Sequence, residues 1–164
     1  MFAANQHCLG QALAMVATLT DEQYARPRGE WSSVGAQYRH VVEHYLCLLE
    51  GLPAGRIDYD ARRRDREVEL SRARALEVTQ AVAERLEAIN GWPTDHPLTV
   101  QMQCDPDENA CWAESTLGRE LQFLVSHSVH HFALIKLLLA GDPVALDDGF
   151  GTAPSTLSHL RAPR

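Results

Sequence analysis

Four histidines stand in two pairs at helical spacing, His40 and His44 within "YRHVVEHYLCLLEG" and His127 and His131 within "SHSVHHFALIKLLLAG". Residues four apart share one face of a helix, so each pair offers two imidazoles to the same side. His131 lies in the apolar seam Leu117, Leu121, Leu124, Ser128, His131, Ile135 and Leu138, His127 borders that seam, and His40 adjoins Val41 at the edge of its own helix's stripe. A buried polar group without a partner costs about 1–3 kcal/mol, so imidazoles in a core need partners. A divalent cation is one: a pair at i and i+4 can grip it, and a histidine from a second helix completes three ligands. Three protein ligands leave a coordination position open, the pattern of a catalytic metal site. Each pair alone also fits histidines bonded to carboxylates or carbonyls. It is His40, on a different helix from His127 and His131, that favours the metal. His130 falls on another face and is assigned to solvent with Lys136.

These side chains must be held by helices. Leu9, Leu13, Val16 and Leu19 predict a first helix over residues 4–19, stopped by the turn signal "TDEQ". Ser33 is a ready N-cap for a second, with Val34, Tyr38, Val41, Tyr45 and Leu48 as its stripe and Gly51 at its end. "LPAGRIDYDARRRD", residues 52–65, reads as a crossover long enough to leave two sequential helices parallel. The spacing predicts a third helix over 66–90 and a fourth over 117–140, capped by Ser115 or Thr116 and ended by Gly141 and Pro143. Between them, Leu98, Val100 and Met102 alternate with polar residues before "DPDEN", which predicts a short two-stranded hairpin. The last twenty residues read as an ordered tail or loop. The expected fold is therefore all-α, a four-helix bundle with a small hairpin or irregular insertion between helices 3 and 4.

At 164 residues the chain has the size of one domain. With 22 acidic against 15 basic residues, a net charge of −7 and a pI near 5.5, nucleic acid is not an expected partner. The basic run "ARRRDR" is offset by Asp58, Asp60, Glu67 and Glu69 and reads as a solvated connection, with one arginine meeting an anionic substrate or a partner chain as the lesser reading. The absence of a long apolar run and of a basic leader points to a cytoplasmic protein with no membrane partner. Cys8, Cys47, Cys104 and Cys111 form no CxxC pair and are expected as free thiols. A separate zinc site from Cys104, Cys111 and His96 has no supporting spacing.

Residues 31–51, "IDYDARRRDREVE" at 57–69, "RELQFLVSHSVHHFALIKLLLAG" at 119–141 and "FGTAPSTL" at 150–157 together resemble the DinB/YfiT-like family over most of the chain. The resemblance implies up-down-down-up connectivity, a homodimer and a divalent metal on three histidines. Its ligand after a Trp-Ser start falls on His40 and its HxxxH pair on His127 and His131, with His44 as a neighbour. Where similar sequences carry His, this chain has Gln37, a poor ligand whose auxiliary role the substitution puts in doubt.

Members with an assigned activity handle thiols, so the resemblance implies a small-molecule substrate and a transferase acting on low-molecular-weight thiols. A hydrolase would use the same open position. The metal would be Zn, Ni, Fe or Mn. The alternative is a non-catalytic dimeric stress-response or binding module whose metal site is structural or vestigial. Glu43 could orient an imidazole or act as a base, although a solvated glutamate is the simpler reading; Cys47 is a candidate thiol near the metal, and Tyr38 and Tyr45 are expected to pack.

Overall fold

The computed structural model describes residues 1–29 and 32–162. Trp31, where the family resemblance begins, lies outside the described residues. Within them the chain forms α1 (Phe2–Thr18), α2 (Asp21–Ala25), α3 (Val34–Gly51), a 3-10 turn (Leu52–Ala54), β1 (Arg56–Asp58), α4 (Arg66–Leu70), α5 (Arg72–Ala88), β2 (Pro97–Gln101), β3 (Trp112–Thr116), α6 (Leu117–Leu138) and α7 (Pro154–Arg161).

The all-α four-helix bundle is thereby corrected: the described residues contain seven α-helices and a three-stranded mixed sheet. Four long helices do enclose the core, α1 against α5 and α6, and α3 against α5 and α6. The sheet has the order β1-β2-β3, with β2 and β3 antiparallel as the expected hairpin and β1 parallel to β2. β1 comes from the segment read as a plain crossover. Three residues are too few to show a periodicity, and their partner is distant in sequence.

The other differences arise from capping. α1 ends at Thr18, as expected, but "TDEQ" is also the capping box of the short α2, in which Gln23 N–H donates to Thr20 Oγ1 at 3.1 Å and Thr20 N–H to Gln23 Oε1 at 2.8 Å. The third helix is broken at Ser71, whose hydroxyl accepts from the N–H of Arg74 and begins α5. The tail contains α7, with Pro154 in its first turn. Gly51 at the end of α3 is required sterically, since a Cβ there would lie 2.2 Å from the Arg56 carbonyl oxygen. The chain can thus double back tightly from α3 into β1.

The core is filled by Leu9, Val16, Tyr24, Tyr38, Tyr45, Leu48, Leu86, Leu121 and Leu124 among others, all essentially inaccessible. Tyr38 and Tyr45 pack, and each phenol finds a partner: Tyr38 shares a 2.7 Å hydrogen bond with Thr79 Oγ1, and Tyr45 donates to Asn5 Oδ1 at 2.9 Å. No helix among the described residues is long and apolar enough to cross a membrane.

Candidate metal centre

α3 and α6 pack side by side and present their histidine pairs to each other. Ring centroids are 4.5 Å apart for His40 and His44, 5.0 Å for His40 and His127, 4.5 Å for His40 and His131, 4.1 Å for His44 and His127, and 4.5 Å for His127 and His131. The rings of the three histidines selected from the sequence adjoin one another, but the set whose ring nitrogens close on a single point takes His44 in place of His131. His40, His44 and His127 each have a ring nitrogen within 4.8 Å of those of the other two, close enough for one ion. His130 is exposed, as is Lys136.

Hydrogen bonds set the ring tautomers. His44 Nδ1–H donates to the carbonyl oxygen of His40 at 2.7 Å, which leaves Nε2 as an acceptor, and Arg62 Nη1 donates to it at 2.9 Å. His131 Nδ1–H donates to Gln37 Oε1 at 2.6 Å, and Gln37 Nε2 donates onward to Ser32 Oγ at 2.5 Å. Gln37, a poor ligand itself, therefore fixes the orientation of His131 and frees its Nε2. His127 Nε2 is buried and has no hydrogen-bond partner among protein groups.

That orphaned nitrogen tests the fit of a cation. A buried imidazole nitrogen without a partner is unfavourable, and an electron-pair acceptor placed among the rings removes the deficit. All four rings are also held neutral, the form that ligates. Burial, then repulsion from neighbouring imidazoles and Arg62, pushes His127 down to about 3 and His131 to about 4. His44 falls to about 4 and His40 to about 2, again chiefly through burial. The donor set fits a divalent transition metal.

Aromatic groups wall the cluster. Tyr59 stacks on His44 with centroids 5.4 Å apart, and Phe123 stacks on His127 at 5.3 Å. Tyr59 is buried, and its hydroxyl donates to Glu120 Oε2 at 2.8 Å, while Ser115 donates to Glu120 Oε1 at 2.5 Å. The sheet holds this wall: β1 runs directly into Tyr59, whose N–H donates to the Gln101 carbonyl at 3.0 Å, and Gln103 N–H donates to Asp60 Oδ2 at 2.6 Å. The loop of residues 59–65 that carries Arg62 is thus tied to β2.

Several sequence expectations change here. Glu43 is 3% exposed and not solvated; its Oε1 accepts from the N–H of Asp65 at 2.7 Å, so it supports the loop and does not orient a ring. Cys47 is half-buried with its thiol pushed up to about 11 by burial, which keeps it protonated at neutral pH. Cys104 and Cys111 are exposed free thiols, and with His96 they form no close ligand set among the described residues. Neither Tyr59 nor Arg62 carries a sequence pattern of its own that marks it for the site. The only signal for them was their place in the charged "IDYDARRRD" segment.

Comparison with known proteins agrees with the sequence resemblance. A family model described as the DinB superfamily matches residues 6–135. A protein named FK506-binding protein 5, from Rhizopus delemar, is 31% identical over 106 residues, covering 64% of this chain and 28% of the relative. The chain therefore spans little more than a quarter of that relative's length. No solved structure matches.

Proposed function

This chain belongs to the DinB superfamily, and on that premise we propose that it is a divalent-metal-dependent enzyme whose metal is held by His40, His127 and His131. The observation that carries the reading is the buried, unpartnered Nε2 of His127 amid neutral imidazoles from α3 and α6. His131 suits the third place because Gln37 engages its Nδ1 and leaves Nε2 for the ion, whereas both nitrogens of His44 already have partners.

When bound, the cation, zinc, nickel, iron or manganese, would supply Lewis acidity to a thiol or water in the open position. The chain's own groups do the rest. His127 and His40 hold the ion from facing helices, Gln37 fixes the His131 ring, and Tyr59 and Phe123 shield the rings from bulk water. This arrangement supports transfer chemistry on a low-molecular-weight thiol, or hydrolysis. A cytoplasmic homodimer is part of the same proposal, checked by cell fractionation and light scattering.

A second reading follows from the close approach of His44 to His40 and His127. If His44 releases Arg62 and joins the ion, four imidazoles close the site and the metal is structural. Metal uptake by tag-free protein, with His131→Ala and His44→Ala compared, tests both. The open three-histidine site requires that His131→Ala weaken zinc binding far more than His44→Ala. Equal losses favour the closed site, and absence of metal binding refutes both.

A further inference from the structure

Arg62 is a half-buried cation whose recorded partner is a neutral ring, His44 Nε2 at 2.9 Å. Among the described residues no carboxylate lies within ion-pair distance of it, although its neighbour Arg63 pairs with Glu50 at 2.8 Å. The acidic groups near the loop are committed elsewhere. Glu43 accepts from the Asp65 N–H, Asp58 Oδ1 accepts from the N–H groups of Asp60 and Ala61 at 2.9 and 3.1 Å, and Glu120 accepts from Tyr59 and Ser115. Among the described residues Arg62 therefore has no carboxylate partner for its five N–H donors, beside four imidazoles that contribute no negative charge. Its position is not accidental slack: the loop is tied to β2 through Tyr59 and Asp60.

From this placement we propose that Arg62 is a specificity-determining residue that pairs with the carboxylate of a small-molecule substrate, holding the reacting end of that molecule toward the histidine cluster. A guanidinium presents a planar fork that matches a carboxylate with two parallel hydrogen bonds, which a single imidazole acceptor cannot satisfy. The substrate is thus a small carboxylic acid, with the thiol or scissile group within reach of the histidines. The location of the reacting end rests on the proposed metal site; the affinity of Arg62 for the carboxylate does not.

The test follows the side-chain Nε–H resonance of Arg62 in 15N-labelled protein, assigned by its loss in Arg62→Lys, during titration with acetate in metal-free and zinc-loaded forms. Zinc uptake is measured separately by chelator competition. The expected result is saturation at Arg62 at an acetate concentration at least about tenfold below any response of the exposed Arg64, with circular dichroism showing that Arg62→Lys keeps the fold. If zinc binds but Arg62 responds no more tightly than Arg64, the carboxylate role is overturned while the metal reading stands. If zinc does not bind, the metal reading falls, and the metal-free titration alone decides Arg62 by the same criterion.

Discussion

Metal affinity at this centre should be nearly independent of pH between 7.5 and 5.0. An ordinary imidazole with a pKa of about 6.5 is about 97% protonated at pH 5, so each such ligand costs about 30-fold in affinity and three cost about 3 × 10⁴-fold. Here the folded chain has already removed those protons. Burial first, and then repulsion among the rings, brings His131 to about 4, His127 to about 3 and His40 to about 2. At pH 5 all three remain mostly neutral and the combined loss is about 1.1-fold. Even with every displacement halved by solvent screening, the loss is about fivefold, more than three orders of magnitude from the solvated case. The assay is competition for zinc against a chromophoric chelator of known proton affinity at pH 7.5 and 5.0, with circular dichroism confirming the fold at both. A loss beyond about 10³-fold would refute the argument, because it would mean that the rings are solvated and protonate before they bind.

Four further outcomes are expected. The metal-free fold should lose thermal stability on acidification: the folded pKa values of the histidines lie below the unfolded 6.5, so their stabilisation is complete above about pH 6.5 and is lost as pH falls toward 4, and saturating zinc should offset the decline in a melting curve. Gln37→Leu should weaken zinc binding about 10- to 100-fold with little change in melting temperature, while Gln37→Glu, which keeps the acceptor for His131 Nδ1–H, should retain it by chelator competition. Tyr59→Phe removes one of two hydroxyl donors to the buried Glu120 and should destabilise by about 1–3 kcal/mol in urea unfolding. Gly51→Ala forces a Cβ against the Arg56 carbonyl and should cost about 2 kcal/mol or more, seen as a lowered urea midpoint.

The long helices were legible because their apolar faces repeat at 3.6 residues over many turns, and the histidine pairs because four-residue spacing places side chains without any tertiary information. What could not be read is what depends on pairing across the chain. β1 acquires its strand character from β2, so Arg56–Asp58 carries no signal of its own. Arg62 and Tyr59 reach the rings because that strand aims their loop, and residues 59–65 by themselves state only charge and turn chemistry. Glu43 lies on α3 where a glutamate is expected in solvent, and its burial follows from the loop folding over it. Gln37 shows the same limit, since only the placement of His131 across the helix pair makes its amide an orienting group.

The parallel pairing of β1 with β2 also sets an order of assembly. Arg56 pairs with Thr99, 99 − 56 = 43 residues later, and His40 meets His127, 127 − 40 = 87 residues later. At translation rates of about 5–20 residues per second, the Arg62 loop waits about 2–9 s for its strand, and the imidazoles of α3 wait about twice as long for those of α6. During that interval α3 displays a histidine pair and an unpaired basic loop on the nascent chain. The residues that build the Arg62 loop and its strand partner are therefore all synthesised before the last metal ligands of α6 emerge, and the centre can close only once α6 is available to dock.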